Sequence, residues 1–174
     1  MDAIHAARTP HRMRGIVHSV SYARAAEIRD NSRFKHRMIV HKDSRGLPDA
    51  LAELASRPDG ILVSPSIHTG YNFPFDAAEY QIIAKHPHPD TRDPIAKARI
   101  EKNPMYAAAM QAATVTQSLG RLMRDAKDRG ESFLVDRLVA MHMFNHKQFY
   151  PQYLLKQYCG KIEREIPPPP VRQF

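Results

Sequence analysis

The chain has 174 residues, with 26 Lys and Arg against 18 Asp and Glu, ten His, one Cys and no Trp. That length suits one compact domain, and a makeup of 43% hydrophobic and 25% charged residues is that of a folded protein and not a disordered one. The single cysteine, Cys159, excludes an internal disulfide and any four-cysteine zinc or iron–sulfur centre. No apolar run approaches the ~20 residues of a membrane span, and the basic start lacks the apolar core of a signal peptide, so a soluble intracellular protein is expected, in cytoplasm, nucleoid or, if phage-encoded, the host cell. The net charge of +8 is uneven: residues 8–45 hold ten Lys and Arg against three acids, whereas residues 46–174 hold sixteen against fourteen. A localised basic surface concentrates polyanions such as nucleic acid, and equally serves as a solvated face; charge alone leaves both readings open.

In chain order, five short apolar runs read as strands: Gly15–Tyr22, Met38–His41, Gly60–Ser66, Gln81–His86 and Ser132–Asp136. Their centres are continuous and not alternating, which suits strands covered on both faces, as in a parallel sheet. Helices are expected over Ala23–Asp30, over Leu47–Arg57 with Pro48 near its start, from Asp93-Pro94 to about Lys102, and from Asn103-Pro104 to about Arg124. Strands alternating with helices point to an open α/β sheet. Phe149–Lys161 reads as helix, and Pro167–Pro170 force an extended tail, dividing the chain into one domain over residues 1–160 and a proline-rich tail over 161–174.

Three segments hold groups suited to chemistry. In Gln117-Ser118-Leu119-Gly120-Arg121-Leu122-Met123-Arg124, a helix continuing to Arg124 projects Gln117, Arg121 and Arg124 from one face. Two arginines one turn apart suit a triphosphate or phosphodiester, or else pair with Asp125 and Asp128 on a plain surface. Gly120 inside that helix costs ~1 kcal/mol relative to Ala and asks for a reason, such as close approach of a backbone or ligand. The loop after the third strand, Ser66-Ile67-His68-Thr69-Gly70-Tyr71-Asn72, lies at a strand carboxyl end, where open sheets bind ligands. Gly70 admits close approach of a phosphate, and Ser66, Thr69 and Asn72 offer hydrogen bonds. The first strand ends in Ser19 and Ser21, whose hydroxyls either meet a phosphate backbone or cap the next helix. His142 and His146 are four apart with no third metal ligand apparent, so the histidines read as solvated or packed.

The only Gly-Lys pair, Gly160-Lys161, lacks the Walker spacing, and no acidic strand end is present to hold magnesium. The chain therefore lacks the phosphate cradle and metal site that ATP hydrolysis needs.

In this order, the segments resemble the second RecA-like motor domain of a superfamily 2 DNA helicase, of the XPD/DinG-like branch. Gly15–Tyr22 resembles motif IV; Ile61–Ser66 running into Thr69-Gly70-Tyr71-Asn72 resembles motif V, with Thr and Asn where the family has Glu and Asp; Gln117–Arg124 resembles motif VI in its Q-x-x-G-R-x-x-R form. The resemblance implies a RecA-like, mainly parallel sheet flanked by helices, a P-loop NTPase-type fold without its own Walker A loop. It implies ATP and Mg shared with a first motor domain, on the same parent chain or a separate subunit. Arg121 and Arg124 would then be arginine fingers, with Gln117 positioning the γ-phosphate or attacking water. Gly70, Asn72 and Gly120 would lie at the nucleotide, and Ser19, Ser21, Arg24, Ser66 and Thr69 on single-stranded DNA, in repair or replication. The alternative is a stand-alone nucleic-acid-binding or regulatory module that kept the fold without motor activity, or an unrelated α/β enzyme using the Thr69–Asn72 loop.

Overall fold

Apolar runs too short to satisfy their own backbone must pair, and here all five pair in parallel. The computed structural model describes residues 1–65, 78–89, 92–122 and 130–158. The strands are β1 (Gly15–His18), β2 (Met38–Val40), β3 (Ile61–Ser64), β4 (Tyr80–Ile83) and β5 (Glu131–Leu134), in spatial order β2-β3-β1-β4-β5. β1 lies at the centre, with Gly15 opposite Ile61 on one side and Tyr80 on the other. Every residue of β1, β3 and β4 is buried, as continuous apolar runs require, whereas the edge strand β5 is half-buried throughout.

Among the described residues, seven α-helices surround the sheet: α1 (Asp2–Arg8), α2 (Tyr22–Asp30), α3 (Leu47–Ser56), α4 (Pro94–Lys102), α5 (Pro104–Leu119), α6 (Arg137–Asn145) and α7 (Gln152–Tyr158). Ile4 of α1 and Ala25 of α2 pack on Val17, Ile61, Val63 and Ile82. On the opposite face, Leu47, Ala50 and Leu54 of α3 pack on Ile16, Ile39 and Leu62. Ala112, Val115 and Leu119 of α5 meet Ile83 there, together with Val139 and Met143 of α6 and Leu154 of α7. Each buried Val, Leu or Ile contributes roughly 1.5–3 kcal/mol.

The caps are local and follow from residue type. Ser21, Asp93, Asn103 and Asp136 each accept a hydrogen bond from a backbone amide of the helix they precede, at 2.9–3.1 Å. Pro94 and Pro104 occupy first-turn positions where no amide is needed.

Several boundaries differ from expectation. β1 stops at His18 because Ser21 already begins α2. β4 stops at Ile83, beyond which the His86 amide bonds the Asp136 carboxylate and Pro87 and Pro89 have no amide to offer a ladder. The expected helix over Phe149–Lys161 is divided: a 3₁₀ turn covers Lys147–Phe149, Pro151 follows, and α7 covers Gln152–Tyr158. The proline-rich tail lies outside the described residues. Among the described residues no helix is long and apolar enough to cross a membrane.

Candidate functional site

The largest departure from expectation falls at the motif VI segment. α5 ends at Leu119, so Gly120 lies at the helix end and not inside it. Gly120 has right-handed backbone (φ −70°, ψ −5°), and its amide bonds the Thr116 carbonyl at 2.9 Å. The Arg121 amide then reaches Ser118 O at 3.2 Å, a tighter 3₁₀-type closure. A Cβ on Gly120 would meet only carbonyl oxygens, Thr116 O at 3.3 Å and Gln117 O at 3.7 Å. The glycine therefore carries no mid-helix penalty, and Gln117 and Arg121 do not share a continuous helical face. Gln117 is exposed on the last turn of α5, and Arg121 is half-buried in the turn. That turn is pinned on both sides by core residues, Leu119 against Ile83 and Leu122 against Ile16 and Leu62.

Ser19 and Ser21 both serve the chain's own backbone. The buried Ser19 donates its hydroxyl to Ser21 O at 3.2 Å, and its amide bonds Ser64 O at 3.1 Å. Ser21 caps α2 by accepting from the Arg24 amide at 3.1 Å, and the Arg24 guanidinium pairs with Glu27 at 2.6 Å. Arg124, Ser66, Thr69, Gly70 and Asn72 lie outside the described residues, as do Asp125 and Asp128.

Among the described residues, one cavity of about 180 Å³ lies at the carboxyl ends of β1, β3 and β4, lined by Ser19 and Ser118 but not by Gln117 or Arg121. Ser19 and Val20 line it just beyond β1, Pro65 just beyond β3 and Lys85 just beyond β4, with Thr114 and Ser118 from α5. This is the position at which open parallel sheets hold ligands.

Beneath the cavity runs a buried polar row that sequence reasoning missed. His41 bonds the Ser64 hydroxyl at 2.7 Å, and Ser64 is the register partner of His18. His18 Nε2 and Gln81 Oε1 are 2.8 Å apart, and Gln81 Nε2 donates to Leu119 O at 3.1 Å and Ser132 Oγ at 2.8 Å. The available signal was a lone glutamine inside the otherwise apolar run Tyr80–Ile83.

The basic segment is largely consumed internally. Arg8 and Arg37 are buried in pairs with Glu131 and Asp59, and Arg24, Arg29, Arg33 and Arg45 pair with Glu27, Asp30, Asp2 and Asp43. Arg12, Arg14, Lys35 and Lys42 have no ion pair with a described residue, and only Lys42 follows a strand carboxyl end. The excess of positive charge is therefore not focused on the cavity.

Four of the histidines pack against one another, whereas His11 and His36 are exposed. His88, His86, His142 and His146 form a continuous run of ring contacts 4.6–5.0 Å apart, and His142 shares a 2.7 Å hydrogen bond with the Tyr150 hydroxyl. Among the described residues no group of three His, Cys, Asp or Glu is set to hold a metal.

No curated protein sequence matches the chain. The family model described as the helicase C-terminal domain matches residues 5–154, a span from α1 into α7 that takes in all five strands, the cavity and the motif VI turn. With its five-stranded parallel sheet and that match over most of its length, the chain belongs to the helicase C-terminal domain family, of the XPD/DinG-like type.

Proposed function

We propose that this chain is the second motor domain of an ATP-dependent DNA helicase, acting on ATP held by a separate first domain and on single-stranded DNA. The observation that carries the reading is the convergence of Ser19, Pro65 and Ser118 on one cavity at the strand carboxyl ends, beside the turn that bears Arg121. Magnesium-bound ATP would supply the phosphoanhydride whose cleavage drives the motor. The donor set fits such a polyanion: the Arg121 guanidinium offers a planar fork of N–H donors, and the exposed Gln117 amide offers two more. Arg121 and Arg124 would stabilise charge developing on the terminal phosphate, and Gln117 would orient the phosphate or the attacking water. Gly70, Asn72 and Gly120 would pass close to the nucleotide. Ser19, Ser21, Arg24, Ser66 and Thr69 would contact the DNA strand, for which Ser19 and Ser21 must exchange their present bonds to backbone.

The reading predicts that the isolated chain turns over no ATP, because it lacks a Walker loop. Combined with a first motor domain, Arg121→Ala and Arg124→Ala should each cut DNA-stimulated ATP turnover on the order of 10³-fold while leaving the circular dichroism spectrum unchanged. Robust ATPase activity in the isolated chain, or full turnover in both variants, would refute it.

A further inference from the structure

Gln81 occupies the middle of a parallel strand flanked by Tyr80 and Ile82, with no exposed surface. An amide buried there costs about 1–3 kcal/mol if left unpaired, so its presence asks for a reason beyond the fold. Its pairing is complete and directional. Both amide protons are spent, one on Leu119 O and one on Ser132 Oγ, so Oε1 necessarily faces His18. His18 must then donate from Nε2, which selects the Nε2–H tautomer of the neutral ring.

The two ends of this chain of bonds matter. Leu119 O is one of the last carbonyls of α5, a group with no partner inside the helix, and Gln81 supplies the donor. One residue on are Gly120 and then Arg121. At the other end, His18 is the last residue of β1, held by its carbonyl to the Ala84 amide at 3.1 Å, and Ser19 next to it lines the cavity. The path from Ser19 through His18 and Gln81 to Leu119 is therefore buried and hydrogen-bonded at each non-covalent step, and it reaches the half-buried Arg121 along the backbone through the exposed Gly120.

We infer that His18 and Gln81 are positioning residues, forming a relay that ties the seating of the motif VI turn, and so of Arg121, to occupancy of the β1 carboxyl end. This rests on the reading of Ser19 as a nucleic-acid contact and of Arg121 as a phosphate ligand. A demonstrated response at both ends, and its loss on cutting the middle, is the warrant such a path requires.

The test uses the full chain, isotope-labelled for NMR, titrated with oligo(dT) at low salt. In the free chain the His18 ring nitrogens should report the Nε2–H tautomer; an Nδ1–H tautomer overturns the relay whatever DNA does. On titration, His18 ring and Arg121 Nε resonances should shift along one binding curve. Gln81→Met keeps the side-chain length and removes the amide: His18 should still shift, with affinity unchanged within about twofold, and the Arg121 response should be lost. His18→Leu cuts the first link alone while Gln81 still holds Leu119 O, and it too should silence Arg121, so the test stands if either variant folds. DNA binding that shifts His18 but not Arg121 in the parent chain, or an Arg121 shift that survives in a folded variant, overturns the relay and leaves the DNA reading intact. Oligo(dT) that perturbs neither residue overturns both.

Discussion

Gly15 opens the central strand against the ring of Tyr80, and a Cβ built on it would lie 2.2 Å from Cζ. The requirement is one of space. Tyr80 cannot easily yield, because it is fully buried and its hydroxyl shares a 2.8 Å hydrogen bond with His5 Nδ1, itself fully buried. Burial also raises the Tyr80 phenol above its ordinary value, so it stays neutral. Gly15→Ala should therefore destabilise the chain by about 1–3 kcal/mol, the usual cost of overpacking, read as a lower urea midpoint with an unchanged m-value. A wild-type midpoint would show that the tyrosine moves aside at no cost. In the sequence Gly120 asks for an explanation, and the helix end disposes of it. Among the described residues the glycines that need room are Gly15 and Gly130, and the clash partner of Gly15 lies on another strand, where no local pattern reveals it.

The amino-terminal helix α1 shows the same limit one level up. Its buried residues are Ile4, His5 and Arg8, so its inward face is mostly polar and gives no apolar period to detect. It docks through specific partners: Arg8 makes two 2.6 Å bonds to the Glu131 carboxylate and lies 5.3 Å from the Phe133 ring centre. That pair spans from the first helix to the edge strand β5, whose residues are only half-buried. Removing one partner of a buried pair costs about 3–5 kcal/mol, since the other charge is left without compensation. Arg8→Ala should lose stability of that order and expose α1 to limited proteolysis ahead of the core. Cleavage at the parent rate would show that Ile4 and His5 suffice for docking. The elements legible in sequence were those whose causes are local: five continuous apolar strands, and helices opened by Ser21, Asp93 and Asn103. The candidate site could be named only as segments, because hydroxyl-rich strand ends and paired arginines are visible in one dimension. Its middle was not, because Gln81 and His18 acquire meaning only when the sheet places them beside the end of α5.

Taken across the sheet, neutral histidines stand in both packing layers and couple the whole fold to pH. On the α1 side, burial, followed by the positive amino terminus, pushes His5 down to about 4. On the α6 side, burial, followed by the neighbouring His86, His146 and His88, pushes His142 down to about 4, and burial lowers His86 as well. Asp136 and Lys85 flank His86 with opposite charges, and Tyr150 and Gln111 contribute neutral partners to His142 and His88. His5 and His142 take up protons near pH 6.5 in the unfolded chain and only near pH 4 in the fold. Unfolding therefore binds protons across that window, and stability that is complete above the unfolded value is lost progressively as the pH falls toward the folded one. His5 alone accounts for about 1 kcal/mol between about pH 7.5 and about pH 5.5. His142, which is partly open to solvent, adds less. Urea midpoints should accordingly fall over that range, before most carboxylates titrate, and His5→Gln should flatten the slope by removing the proton site while keeping a polar partner for Tyr80. A midpoint independent of pH over the same range would mean that these rings are as easily protonated in the fold as out of it, and that neither layer depends on their neutrality.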